Sequence, residues 1–299
     1  MSSGARRNHP AEPSSPGGRG QPGPLTIGGG EVAWVEAFAA VAGRVREAVV
    51  PLLGTEAGRA EHGVGAGGDR TVELDRLAEE VALAGLAEFA AAGHPCSVLS
   101  EEAGVVRLGA DWPLVMLDPV DGSLNAKQGL PLAAVMLALA DGPRVANLRA
   151  GLVLNLLSGE RWTVVRGSGL RRNGAPLVPL PTRPRPGRIG VLGIESSPRD
   201  LCRLRSLIER AGKVRLLGSM ALSLAHTAAG GIEVFAAPIR ARIFDMTAGL
   251  LMVREVGGVV SDLEGRPLED AEVGLESRTT LLASVDAGLH RLALDVLGA

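Results

Sequence analysis

Two carboxylates three residues apart close an apolar run in the stretch Asp118-Pro119-Val120-Asp121-Gly122-Ser123. The preceding Leu114-Val115-Met116-Leu117 predicts a buried strand, and Leu124-Asn125-Ala126 a helical turn after it. Like charges this close raise each other's pKa unless a cation neutralises them. Hard divalent cations take oxygen ligands, and Mg²⁺ is commonly held by a few carboxylates together with substrate phosphate. Gly122 and Ser123 add backbone N–H groups at a turn, where an anion docks. The local chemistry is metal plus phosphate.

Two further acids are placed in the same way. Glu101 follows the short strand pattern Ser97-Val98-Leu99, and Asp245 opens a helical pattern carried by Met246, Leu250 and Val253 and ended by Gly257-Gly258. Element ends at one edge of a sheet converge into a crevice. Acids gathered there form a two-metal cluster of the kind used for phosphoryl displacement. Other chemistries lack their residues. There is no nucleophilic Cys, Ser–His pair or HExxH motif, and His62, His94, His226 and His290 show no metal-ligand spacing. The glycines of Gly63 to Gly68 follow a polar stretch rather than an apolar strand, so they are no dinucleotide fingerprint.

The elements that must position these residues follow from periodicity. Trp34, Ala37, Phe38, Val41 and Val45 predict an amphipathic helix starting near Glu31 and ending near Pro51. His62 to Gly68 is expected to be a mobile loop. Thr71 is expected to cap a second helix, with Glu73 and Asp75 in its first turn, Leu74, Leu77, Val81 and Ala84 on its buried face, and Gly93 at its end. Pro131 to Leu139 predicts a buried strand, and Ser158-Gly159 and Asn173-Gly174 mark turns. Pro179 to Pro186 reads as a linker. Ile189 to Leu192 restarts the strand pattern, and Asp200 to Ala211 and Ser219 to Ala229 predict helices. The expected organisation is a disordered tail at 1–30, an N-terminal α+β subdomain at 31–182 with most of the acids, and a C-terminal subdomain at 183–299.

Composition narrows the function classes. Of 299 residues, 46% are hydrophobic, enough for a large core. Aromatics make up 2% with no Tyr, which argues against base-stacking platforms, and the net charge of -2 gives no footprint for nucleic acid or anionic membrane. Cys96 and Cys202 form no CxxC, as expected of a reduced, cytoplasmic protein. The tail holds no signal-type apolar segment, and the longest apolar run, Leu130 to Ala140, is too short to span a bilayer.

With these motifs in hand, the chain resembles the inositol monophosphatase superfamily of Mg²⁺-dependent, lithium-sensitive sugar phosphatases. The matching segments are Asp69 to Asp75, Ser100-Glu101-Glu102, Asp118 to Asn125, Gly218-Ser219, Asp245 to Gly249 and Leu251 to Gly265, in that order. The resemblance covers Glu31 to the C-terminus. Asp75 to Leu86 and Val98 to Gly104 look most like the branch with archaeal enzymes acting on both inositol phosphates and fructose 1,6-bisphosphate. It implies a layered α-β-α-β-α sandwich of the α+β class, commonly a homodimer, and two or three Mg²⁺ ions. Glu101, Asp118 and the carbonyl of Val120 would hold the first metal, and Asp118, Asp121 and Asp245 the second. Asp75 and Ser123, helped by Glu101, would orient the attacking water. Gly122 and Ser123 would receive the phosphate, with Ser219, Arg240 and Arg242 as further substrate contacts. The implied activity is hydrolysis of a small sugar or polyol phosphate by metal-activated water.

Three departures from the family pattern stand out. Ser123 replaces the usual Thr, keeping the hydroxyl. A lysine common in the mobile loop is missing near Val64. Pro238 stands where an inositol-binding acid is usual, with Arg240 and Arg242 nearby as candidates for a second phosphate. Two other readings are a 3′(2′),5′-bisphosphate nucleotidase, against which the scarcity of aromatics counts, and a non-catalytic anion-binding member.

Overall fold

The computed structural model describes residues 1, 30–64, 70–182 and 185–298. The expected tail, most of the glycine-rich loop and Asp69 fall outside them. Helix α1 (Gly30–Val49) buries Trp34, Phe38, Val41, Ala42, Val45 and Val49 along one face. A small hairpin of β1 (Glu61–Val64) and β2 (Arg70–Val72) leads into α2 (Glu73–Ala91). Here the structure corrects two expectations. Thr71 belongs to β2, and Val72 occupies the N-cap position with no side-chain cap. The buried face of α2 is Leu74, Asp75, Ala78, Ala82, Gly85 and Leu86, while Ala84 is exposed. The cause is the close approach of α1: a Cβ on Gly85 would lie 2.9 Å from Val41 Cγ2. That contact favours the small-residue side of α2 over Leu77 and Val81.

The first large sheet has seven strands in chain order. Strand β3 (Cys96–Ser100) is embraced by β4 (Gly104–Asp121). Val106 to Gly104 run antiparallel against Val98 to Ser100, and Val115 to Leu117 then run parallel to the same three residues. Burial alternates along the first part of β4 and becomes continuous from Val115 to Asp121, where both faces are covered. Helix α3 (Ser123–Gln128) follows, then β5 (Ala134–Ala140), buried throughout. The sheet is completed by β6 (Leu148–Asn155), β7 (Arg161–Val165), β8 (Gly169–Arg172) and β9 (Ala175–Pro176). Its hairpins turn at the expected Ser158-Gly159 and Asn173-Gly174.

The proline-rich stretch lies on the connection to the second sheet, which begins with β10 (Ile189–Ile194). The helix expected over Asp200 to Ala211 is a 3₁₀ turn at Leu201–Leu204 followed by α4 (Arg205–Arg210). Ala211 instead begins β11 (Ala211–Arg215), which pairs in parallel with β10 as its edge partner. Helix α5 (Met220–Ala228), β12 (Val234–Arg242), α6 (Thr247–Glu255), β13 (Val259–Ser261), β14 (Arg278–Ser284) and α7 (Ala287–Leu297) complete the chain. The second sheet is ordered β11-β10-β12-β14-β13.

Alternation of side chains across the strands builds three cores. Val115, Leu117, Val135, Leu137 and Leu152 pack against α1 and α2. Met116, Met136, Ala138 and Val153 point the other way, onto Leu224 of α5 and Leu250 of α6, which also meet Phe235 and Leu281 of the second sheet. Leu192, Val234, Ala236 and Leu282 face Leu207 of α4 and Ala293 of α7. The layers are therefore α-β-α-β-α, the expected sandwich. No helix among the described residues is long and apolar enough to cross a membrane.

Candidate active site

The continuously buried end of β4 delivers Asp118 and Asp121 into the middle of the molecule. Their side chains keep the turn in shape: the Val120 N–H donates to Asp118 Oδ1 at 3.1 Å. Gly122 then takes φ 80°, and a Cβ there would stand 2.8 Å from the carbonyl oxygens of Gly218 and Leu132. Only glycine fits both the left-handed conformation and that approach. Asn125 fastens the same junction, its Nδ2 donating to the carbonyls of Leu132 (2.9 Å) and Leu217 (2.7 Å). It is a brace between layers rather than a helix-start residue alone.

The N-terminus of α5 is thereby pressed against Asp121. The N–H groups of Met220 and Ala221 donate to its two oxygens at 3.2 and 2.9 Å, and the Ser219 hydroxyl donates to it as well. Ser219 Oγ also accepts from the Leu222 N–H at 3.2 Å, so this residue caps α5 and holds Asp121. Glu101 is brought in by the turn after β3. Glu79 of α2 fixes that turn, accepting from the Ala103 N–H at 2.8 Å and from the Ser100 hydroxyl. Asp245 arrives on the 3₁₀ turn that starts α6.

Acids distant in sequence therefore converge. Burial pushes the Asp118 carboxyl well above its ordinary pKa, and repulsion from Glu101, Asp121 and Asp245 pushes it further, against the pull of Arg242. Burial raises Asp121 to about 6 despite the hydrogen bonds from Ser219, Ala221 and Met220. Burial likewise raises Asp245 to about 7, against its pairing with Arg242. Asp118, Asp121 and Asp245, with Glu101 beside them, form a site that demands positive charge.

Arg242 supplies part of it. Its Nε donates to both Asp245 oxygens at 3.0 and 3.2 Å, and its guanidinium also pairs with Glu101. Burial alone would lower its pKa, but the two carboxylates hold it above the ordinary value. Among the described residues no three carboxylates are gathered at common ligand distance. Arg242 pairs with both Glu101 and Asp245 instead, while also lining the larger recess. Arg240 is exposed and lies at the rim. The donors nonetheless suit a hard divalent cation: they are carboxylate and carbonyl oxygens, and their charge exceeds what one guanidinium neutralises. Glu101, Asp118, Asp121, Asp245 and the Val120 carbonyl are the residues that would hold Mg²⁺.

Two cavities flank the cluster. The smaller, about 60 Å³, is lined by Asp75, Glu101, Glu102, Val120, Ser123 and Lys127. It has room for about two waters. Asp75 Oδ1 is buried there with no hydrogen-bond partner, while Lys127 Nζ lies 3.3 Å from Asp75 Oδ2. Burial raises the Asp75 pKa and the Lys127 charge lowers it. The larger recess, about 400 Å³, lies on the side of Asp121 and Asp245 and is bordered by Glu195, Arg240, Arg242 and Arg278. Asp118 lines neither cavity and is buried, 3% exposed, while its neighbours Val120 and Asp121 line the small and the large one.

Glu79, Lys127, Glu195 and Arg278 are additions to the residues expected from sequence. The acidic first turn of α2 pointed to Asp75, but nothing local marks the other four. Their places depend on pairing between distant elements.

The sequence pattern of the inositol monophosphatase family matches residues 32–295. A fructose-1,6-bisphosphatase/inositol-1-monophosphatase of Thermococcus kodakarensis is 30% identical, across 89% of this chain and 98% of its own. An inositol-1-monophosphatase of Aeropyrum pernix is 38% identical over 66% of this chain and 75% of its own. A solved structure from Pyrococcus horikoshii, described as similar to inositol-1 monophosphatase, superposes with a TM-score of 0.74 at 22% identity, covering 89% of this chain and 98% of its own. The chain belongs to the inositol monophosphatase family.

Proposed function

We propose that this phosphoric monoester hydrolase acts on a small sugar or polyol phosphate of the inositol monophosphate or fructose 1,6-bisphosphate type. The observation that carries this reading is the gathering of buried acids beside two cavities, a small one lined by Asp75 and Glu101 and a larger recess lined by Asp121 and Asp245. Phosphoryl transfer needs the attacking and departing oxygens on opposite sides of phosphorus, roughly in line. In this reading water occupies the small cavity and the ester the recess.

Mg²⁺ held by the acids would act as a Lewis acid, lowering the pKa of water and neutralising phosphoryl oxygens. The protein's own residues do the rest. Asp75 Oδ1, without a partner, accepts the proton of water in the small cavity, and the Ser123 hydroxyl orients that water. Gly122 and Ser123 meet the phosphate at the end of β4. Arg240 and Arg278 at the recess have no carboxylate partner among the described residues and suit a distal anionic group. Among the described residues no aromatic side chain lines the recess, which disfavours stacking of a nucleobase. Two or three bound ions, a homodimer and a cytoplasmic setting complete the proposal. Calorimetric titration and sedimentation check the first two.

The direct test is phosphate release from a panel of sugar, polyol and nucleotide esters with Mg²⁺ and with chelator. Release from a sugar or polyol phosphate only with Mg²⁺ supports the reading, and none from any of them overturns it. A second expectation concerns Lys127. Its charge lowers the Asp75 pKa, so Lys127→Met leaves Asp75 protonated to higher pH. Turnover should fall about tenfold at the acidic end of the pH–rate profile and little at the alkaline end. A profile that keeps its shape would separate Lys127 from the proton acceptor.

A further inference from the structure

Glu195 lies immediately beyond β10, at the carboxyl end of the parallel pair β10–β12, its N–H donating to the Ala236 carbonyl at 3.2 Å. That end of an open sheet is where ligand crevices form. Its side chain borders the large recess on the side facing Asp121 and Gly218. Glu195 Oε2 is buried and has no hydrogen-bond partner. Burial raises its pKa, and only the Gly218 backbone N–H favours the charged form. A carboxylate oxygen with no donor is unfavourable in the empty protein. The cations of the recess lie elsewhere: Arg242 is committed to Asp245 and Glu101, and Arg240 donates to the Arg278 carbonyl.

We propose that Glu195, at the wall of the recess, is a specificity-determining residue whose carboxylate turns its unpartnered oxygen to accept hydrogen bonds from hydroxyl groups of the substrate's sugar or polyol ring. The inference rests on the proposed function and deepens it. A substrate hydroxyl provides the donor this oxygen lacks, while a cation held by the neighbouring acids would neutralise the substrate's phosphate. Esters with a bare hydrocarbon body leave the oxygen unpaired and are discriminated against.

The test compares kcat/KM for a polyhydroxylated ester (fructose 1,6-bisphosphate or myo-inositol 1-phosphate) with that for phenyl phosphate. It uses wild type, Glu195→Ala and Glu195→Gln. The ratio of the two specificity constants should fall about 10- to 100-fold in Glu195→Ala, mainly through KM for the polyol ester. Glu195→Gln, which keeps the volume and one acceptor oxygen, should recover part of the ratio. It also decides the matter alone if the alanine variant does not fold. An unchanged ratio, or equal losses on both esters, overturns the role of Glu195. A wild-type protein that hydrolyses neither ester overturns the proposed function itself.

Discussion

Replacing Asp118 by Asn is expected to cut turnover about 10³-fold, about 4 kcal/mol of transition-state stabilisation, while the chelated protein melts at a higher temperature than wild type. Both effects come from one placement. Asp118 is 3% exposed and repelled by Glu101, Asp121 and Asp245. Without a bound cation its ionised form is a burden on the fold, and an amide removes the charge while leaving shape unchanged. Asn retains the oxygen that accepts from the Val120 N–H at 3.1 Å, so the turn into α3 survives. It also gains an N–H₂ group facing carboxylates. With Mg²⁺ the order reverses, because wild type binds the ion at its shared acid and gains stability by mass action, whereas the variant gains little. Steady-state phosphate release and melting curves in chelator and in Mg²⁺ read the two effects separately. Near-wild-type Mg²⁺-dependent turnover, or an unaltered Mg²⁺-induced rise in melting temperature, would remove Asp118 from the centre of the site.

The acids were legible in sequence because each sits at the end of an element whose pattern is local. Leu114 to Leu117 announces a strand, so Asp118 and Asp121 fall at its end, and Met246, Leu250 and Val253 place Asp245 at a helix start. The sheet order was legible only as hairpins, since Ser158-Gly159 and Asn173-Gly174 fix neighbours that are consecutive. What remained hidden depends on contacts between distant elements. Glu195 gains its environment from the β10–β12 pairing and the turn at Gly218. Lys127 meets Asp75 only because α3 lies beside α2. Arg242 lines the recess, as a ligand-facing charge would, but its pairing with Glu101 and Asp245 depends on elements distant in sequence. The buried face of α2 keeps Leu74 but turns toward Ala78, Ala82 and Gly85, because periodicity does not reveal the approach of α1 at Gly85.

The same crowding of charge predicts an inverted pH dependence of stability. In chelator, the melting temperature should fall between pH 5 and 8 relative to the Mg²⁺-bound protein, by on the order of 5–10 °C. The sign follows from proton counts. Asp121 and Asp245 release their protons near 3.9 when unfolded, but burial holds them to about 6 and about 7 in the fold. Between those limits the native state binds more protons than the unfolded state, so stability drops as pH rises and levels off above the native values. Arg242 moderates this slope without cancelling it, since one guanidinium faces four acids. Ordinary paired carboxylates behave oppositely: Asp262 and Asp286, held below their usual pKa by Arg266 and by backbone N–H groups, add stability that is lost only at lower pH. Half-buried His226 and buried His290, with lowered pKa, add stability as pH rises toward 6.5. These groups contribute equally with and without metal, so the difference between the two melting curves isolates the acid cluster. Mg²⁺ should make that difference grow with pH, because it binds the ionised carboxylates that chelated protein must leave unpaired. A difference that is constant from pH 5 to 8 would mean that Asp121 and Asp245 do not share a cation.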